Sequence, residues 1–238
     1  MFLTHARIES VKGLPDWLQS QPVVRALYHD GIRFPTSITI FTGENGAGKS
    51  TLIEALAVSL GANPSGGSRN ARFNSRIGAE TPVSPLHQSL ITTRRRNPTD
   101  VFFLRGETFF DLTHYYSTLP RDPYAGLISR SHGQSLMELL RGRLGSRGLY
   151  FLDEPEDGLS VFAQLELLGN LWHLADRGAQ IVLSTHSPIL LGIPEATLYS
   201  LEDDSIRETS FSRCEAVTAH REFLADPVGT ASYLVGED

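Results

Sequence analysis

The sequence predicts an α/β fold, a mostly parallel central sheet with flanking helices, and three observations carry that reading. Short continuous apolar runs recur at residues 37–42, 101–104, 148–153 and 180–185, as strands buried on both faces require. Helical spacings separate them, the alternation that builds a parallel sheet with crossover helices. The first run leads directly into a glycine-rich turn and then a helical pattern. The chain has 238 residues, 40% of them hydrophobic, which is enough for one sizeable core.

Taken in order, residues 2–11 alternate well enough for a strand. Residues 16–29 read as a single short helix, with Pro15 at its start and Gly31 past its end. Residues 43–51, Gly43-Glu44-Asn45-Gly46-Ala47-Gly48-Lys49-Ser50-Thr51, match the whole phosphate-binding pattern G-x-x-x-x-G-K-[ST]. They lie between a strand and a helical pattern that continues through residue 60, the context the motif needs. The glycines let successive N–H groups point at one anion, and the helix N-terminus adds partial positive charge. There Lys49 would reach the β- and γ-phosphates, and the Ser50 hydroxyl would ligate Mg²⁺.

Residues 61–100 hold Gly61, Pro64, Gly66, Gly67, Pro82, Pro85 and Pro98 among scattered Ser and Arg, and read as loops and a mobile insertion. After the strand at 101–104, residues 107–119 suit a helix ending at Pro120, residues 120–132 a loop, and residues 134–144 another helix. Residues 159–176 are helical between the strands at 148–153 and 180–185. Residues 197–201 and 205–208 suggest a hairpin around Asp203-Asp204, and residues 214–225 a C-terminal helix.

The formal net charge is −6, which gives no support for a nucleic-acid surface over the whole molecule. A local basic patch is available in Arg94-Arg95-Arg96, with Arg69, Arg72 and Arg76 nearby in sequence. The single cysteine, Cys214, excludes an intramolecular disulfide. No apolar stretch is long enough to span a membrane, and residues 1–10 lack a signal-peptide layout, so a cytoplasmic setting is expected.

Three further motifs narrow the chemistry. The apolar strand 149–153 ends in Asp153-Glu154-Pro155, which places two acids at the carboxyl edge of the sheet beside the phosphate loop. Asp153 suits the carboxylate that holds Mg²⁺ through its water shell, and Glu154 suits the residue that polarises an attacking water. The next strand closes with Ser184-Thr185-His186-Ser187-Pro188, so His186 can contact a γ-phosphate or orient that water. Ser131-His132-Gly133-Gln134-Ser135 precedes a helix, where a hydroxyl and a glycine N–H make a second anion site.

Asp-Glu-Pro after an apolar strand, Thr-His-Ser-Pro and Ser-x-Gly-Gln before a helix together resemble an ATP-binding-cassette-type ATPase, over roughly residues 1–210. Within that family the chain is similar to the stand-alone predicted ATPases near the RecF and SMC branch, of the AAA_21 sort. The run at residues 103–110 fits that group. The resemblance implies a P-loop NTPase fold with N-terminal antiparallel strands and a small helical insertion. Residues 1–238 would be one domain, with about 61–147 as the insertion that carries the signature. It implies ATP and Mg²⁺ as cofactors, with Lys49, Glu154 and His186 catalytic and Ser50 and Asp153 on the metal. It further implies a head-to-tail homodimer with two ATP molecules, to which Ser131, Gly133 and Gln134 contribute in trans.

Three departures stand out. His132 replaces the first signature glycine, and Ser160 replaces the Asp usual in transporter subunits. Arg105-Gly106-Glu107 stands where a glutamine is expected, and either Arg105 or Glu107 can take that place. Phe34 is the weak candidate for adenine stacking. The expected output is a conformational switch on DNA or a partner enzyme. The alternatives are the ATP-binding subunit of a membrane transporter, and an ATP-gated regulatory subunit that hydrolyses little.

Overall fold

Alternation along the buried strands decides which wall of the molecule each side chain joins. The structure, a computed structural model, describes residues 1–68, 83–118, 131–202 and 205–236. In chain order the first elements are β1 (Leu3–Ile8), α1 (Asp16–Gln19), α2 (Pro22–His29), β2 (Ile32–Arg33), β3 (Ile38–Gly43), α3 (Lys49–Ser59) and β4 (Gly67–Ser68). They are followed by α4 (Leu86–Ser89), β5 (Leu90–Arg94), β6 (Asp100–Arg105), α5 (Phe109–Thr118), α6 (His132–Arg143) and β7 (Gly148–Asp153). The chain continues through α7 (Val161–Asp176), β8 (Gln180–Ser184), α8 (Pro188–Leu191), β9 (Thr197–Glu202), β10 (Ser205–Thr209), α9 (Glu215–Ala225) and α10 (Pro227–Val235).

Seven described strands form the central sheet in the order β10-β9-β3-β8-β7-β6-β4. β9, β3, β8, β7 and β6 run parallel, and the edge strands β10 and β4 are antiparallel. On one face Ile40, Phe102, Leu104, Tyr150, Leu152, Ile181 and Leu183 pack against α5, α6, α7 and α8. On the other, Phe41, Phe103, Leu149, Phe151 and Val182 pack against α2, α3 and the small sheet. Both faces are covered, as a parallel sheet requires.

The second sheet is antiparallel, in the order β2-β1-β5. The buried Gln180 side chain buckles it to the central sheet. Its Oε1 accepts from the N–H groups of Phe2 (2.7 Å) and Leu3 (2.9 Å), and its Nε2 donates to the Leu3 carbonyl (2.8 Å).

Several expectations need correction. Residues 16–29 form two helices, because Pro22 has no N–H to continue the first and instead starts the second at its first turn. The stretch 61–100 is not all loop: residues 86–89 are a helical turn and 90–94 supply the third strand of the small sheet. Part of that stretch, with Arg69, Arg72, Arg76 and Pro82, lies outside the described residues, as do Pro120 and Asp203-Asp204. Phe34 is 1% exposed inside the core, so it is not available to stack on a base. A further helix, α10, follows the expected C-terminal one, starting at Pro227 with Asp226 capping it through the Gly229 N–H (2.9 Å).

A candidate nucleotide site at the carboxyl edge of the sheet

The loop between β3 and α3 supplies the anion cradle. Gly48 lies at φ +93°, and a Cβ there would press within 2.8 Å of a Val23 methyl, so only glycine closes this turn without strain. Glu44, Asn45 and Gly46 are exposed, while Lys49 is 4% exposed. Lys49 Nζ donates to the carbonyls of Gly43 (2.8 Å) and Glu44 (2.9 Å). Burial pulls the Lys49 pKa below the usual lysine value, and Glu154, Asp153 and Glu156 oppose that pull. Gly43, Glu44, Asn45, Gly46 and Ala47 line a cleft of about 520 Å³ together with Leu201 and Glu215. Ser50 and Thr51 follow in the first turn of α3.

The acids enter from the neighbouring strands. Asp153, 4% exposed at the end of β7, accepts from Ser184 Oγ at the end of β8 (2.6 Å) and is hydrogen-bonded with Ser50. Burial raises its pKa, and Ser184, Arg105 and Ser50 offset part of the rise. Glu154 sits at φ +48°, a left-handed backbone that is costly for a residue with a Cβ and that recurs at functional sites. Its N–H donates to the Ser184 carbonyl (3.1 Å), which anchors the turn on β8. Glu154 Oε1 lies 3.6 Å from His186 Nε2. Burial and then Asp153, Asp157 and Glu156 push the Glu154 pKa up, while burial and Lys49 push the His186 pKa down. The charged form of each is thus disfavoured where the two face each other, and His186 Nε2 is buried with no hydrogen-bond partner among the described residues.

Sequence reasoning passed over two acids here. Glu156 Oε1 accepts from Thr185 Oγ1 (2.5 Å), His186 N (2.9 Å) and Ser187 N (3.2 Å), so it holds the backbone that presents His186. Glu54 lies one helical turn after Ser50 and ion-pairs with Arg105 (2.5 Å). An acid two positions after Glu154 and an acid within the apolar face of α3 were the signals that could have found them. At the position left open, Arg105 is the inward residue and Glu107 is exposed.

Oxygen donors suited to Mg²⁺ are present in the Asp153 carboxylate and the Ser50 hydroxyl. Among the described residues no group of three or more His, Cys, Asp and Glu forms a metal cage.

The signature residues lie apart. Ser131 caps α6, and its Oγ accepts from Gln134 N (3.4 Å) while Ser131 N donates to Gln134 Oε1 (3.3 Å). His132 stacks edge-on against Phe109 (4.9 Å between centroids) beside Gly158. Ser131, Gly133 and Gln134 line a cleft of about 1200 Å³ between α6 and α7, whose rim carries Phe162 at 82% exposure. The structure thus brings the phosphate loop, Asp153, Glu154 and His186 together, and leaves the signature residues facing another cleft.

A family model described as "AAA domain" matches residues 25–99, and one described as "AAA domain, putative AbiEii toxin, Type IV TA system" matches residues 135–192. The chain is 26% identical over 183 residues to the cytochrome c biogenesis ATP-binding export protein CcmA of Bartonella henselae, covering 71% of this chain and 83% of that one. It is 30% identical over 189 residues to the galactose/methyl galactoside import ATP-binding protein MglA of Mannheimia succiniciproducens, covering 71% of this chain and 37% of that one. Among solved structures it is similar to the SMC head domain from Thermotoga maritima, with a TM-score of 0.48 and 13% identity, over 88% of this chain and 99% of that one. Among the described residues no helix is long and apolar enough to cross a membrane.

Proposed function

We propose that this chain, a P-loop ATPase similar to ATP-binding-cassette proteins, hydrolyses ATP in a head-to-tail dimer and uses the cycle as a conformational switch on DNA or a partner protein. The observation that carries the catalytic assignment is the convergence of Lys49, Asp153, Glu154 and His186 on one sheet edge. Phosphoryl transfer to water depends mainly on positioning and charge neutralisation. The amides of residues 43–49 and the Lys49 ammonium hold the phosphates. Glu154 accepts a proton from the attacking water, and its neighbour His186, neutral at working pH, orients that water against the γ-phosphate. Ser50 and Asp153 would hold Mg²⁺, which supplies Lewis-acid charge neutralisation when bound.

Ser131, Gly133 and Gln134 serve the nucleotide of the opposite subunit. Their separate cleft supports this, since their own chain directs them away from its phosphate loop. Phosphate release by wild type and Glu154→Gln tests the catalytic reading: the variant should bind ATP and barely turn it over, and turnover at the wild-type rate would contradict it.

A DNA target is supported by Arg94 at the end of β5, with Arg95 and Arg96 directly after it on the small sheet. Arg96 lies 4.8 Å over the Phe2 ring, which fixes the turn. Anisotropy of a labelled duplex should fall steeply with salt, and no binding at low salt would move the search to a protein partner. A second reading, an energising subunit for a membrane partner, is favoured by relatives named as export and import ATP-binding proteins.

A further inference from the structure

Two clefts flank the phosphate loop, and one acidic side chain outside the loop stands in both. The first, of about 520 Å³, runs from residues 43–47 to Pro22, Ser200 and Leu201. The second, of about 390 Å³, runs from residues 42–45 to His186. Glu215, the first residue of α9, lines both.

The core fixes that position. Cys214 and Val217 are buried in the cluster that also holds Leu190, Leu191 and Leu198. Arg221 Nη2 donates to the Ser212 carbonyl (3.1 Å), which ties the turn before α9 back onto the helix. With Cys214 and Val217 turned inward, Glu215 and Ala219, one helical turn apart, share the face toward the loop. Glu215 is exposed, and its carboxylate has no hydrogen-bond or ion-pair partner among the described residues. Glu202, which lines the first cleft too, faces Arg207 at 3.8 Å.

A free carboxylate beside bound phosphates repels them unless a donor group comes between. The direction of the nucleotide decides which donor that is. Glu154 and His186 stand where the terminal phosphate is attacked, so the nucleoside leaves the loop on the side of the first cleft. Its base then lies toward Pro22 and Ser200, and the ribose, which joins base to phosphates, lies where the two clefts meet. Phe34 is buried, and among the described residues no Phe, Tyr or Trp lines either cleft. Recognition of the nucleoside therefore falls to polar groups.

We infer that Glu215 accepts hydrogen bonds from the ribose hydroxyls of the bound nucleotide and makes the site selective for ribonucleotides. The inference rests on the ATP-site reading above. A carboxylate has two acceptor oxygens for two neighbouring hydroxyls, and such charge-assisted bonds are stronger than neutral ones.

The test is titration calorimetry of the full chain with the magnesium complexes of ATP, 2′-deoxyATP, 3′-deoxyATP and ITP. Wild type should bind each deoxy form about tenfold or more weakly than ATP, on the scale of a hydrogen bond to a charged group. Glu215→Ala should bind ATP as weakly as the deoxy forms, all three within about threefold of one another. Glu215→Gln, which keeps an acceptor oxygen, should fall between. ITP, whose base lacks the exocyclic amine, should lose as much as ATP does on substitution. A variant that keeps the wild-type preference for ATP over the deoxy forms would overturn the inference, even with a lowered melting temperature, because an acid in a first turn also stabilises its helix. A wild type without that preference would overturn it. So would a loss seen with ATP and absent with ITP, which would put the carboxylate on the base. If Glu215→Ala does not fold, Glu215→Gln decides by the same comparison. If wild type binds none of these nucleotides, the ATP-site reading fails instead, an outcome separate from an unchanged ratio.

Discussion

The ends of β7 and β8 and the head of α6 both carry residues marked for nucleotide work, yet they are built in opposite ways. At the strand ends the polar groups are tied across the fold: Asp153 to Ser184, Glu156 to residues 185–187, Arg105 to Glu54. At the head of α6, Ser131 and Gln134 are exposed, and among the described residues their side chains hydrogen-bond within the helix's own first turn. Accurate placement of charge needs a preorganised frame, and one chain builds that frame only for its own phosphate loop. The signature turn is satisfied locally and stays free to exchange those bonds for another partner's.

The largest effect that would break this contrast falls on the strand ends. Glu154→Gln removes the proton acceptor and should lower turnover by on the order of 10³-fold, measured by phosphate release at saturating ATP. A loss below about tenfold would mean that the strand-end frame is not where the chemistry occurs. Next comes Glu156→Ala, which strips the acceptor from Thr185 Oγ1 and His186 N, while Ser187 N keeps Thr185 Oγ1 (2.9 Å). Each buried donor left unpaired costs about 1–3 kcal/mol, so the melting temperature should drop and turnover should fall about tenfold or more. Glu156→Gln, which keeps an acceptor oxygen, should recover most of both.

A pH series sharpens the same point. Glu154 works ionised, and its pKa is raised above 4.5, so turnover should decline at a higher pH than an ordinary glutamate gives as solutions are acidified. His186, held below 6.5, remains neutral until lower pH than an ordinary histidine. Glu156 is also raised above 4.5, so its stabilising contribution is complete below that value and is lost as pH rises through the raised one. The melting temperature of Glu156→Gln should therefore gain on wild type as pH increases. A pH-independent difference would contradict the assignment. The smallest effect belongs to α6: Ser131→Ala removes a helix cap worth about 1 kcal/mol and should leave ADP affinity unchanged, while turnover becomes less dependent on protein concentration.

The legible parts of this molecule were those fixed by neighbours in sequence. The phosphate loop, the two strand ends and the cap at Ser131 each lie within a few residues of the pattern that announces them. What escaped depends on distant pairing. Strand β5 exists because residues 90–94 find β1 more than 80 positions away, an attraction that the surrounding glycines and prolines do not advertise. Glu54 meets Arg105 across 51 positions, and Glu156 meets the His186 backbone across 30. Phe34 is, by sequence, a weak stacking candidate whose type suits a core position better, and its packing between α2 and the sheet places it in the core.

The most direct measurement is the mass of Glu154→Gln by light scattering with and without MgATP, alongside wild-type turnover. A variant that doubles in mass only with ATP, beside a wild type that turns ATP over, is what a dimer completed by the signature turn predicts. A variant that binds ATP and stays monomeric at every concentration would contradict it.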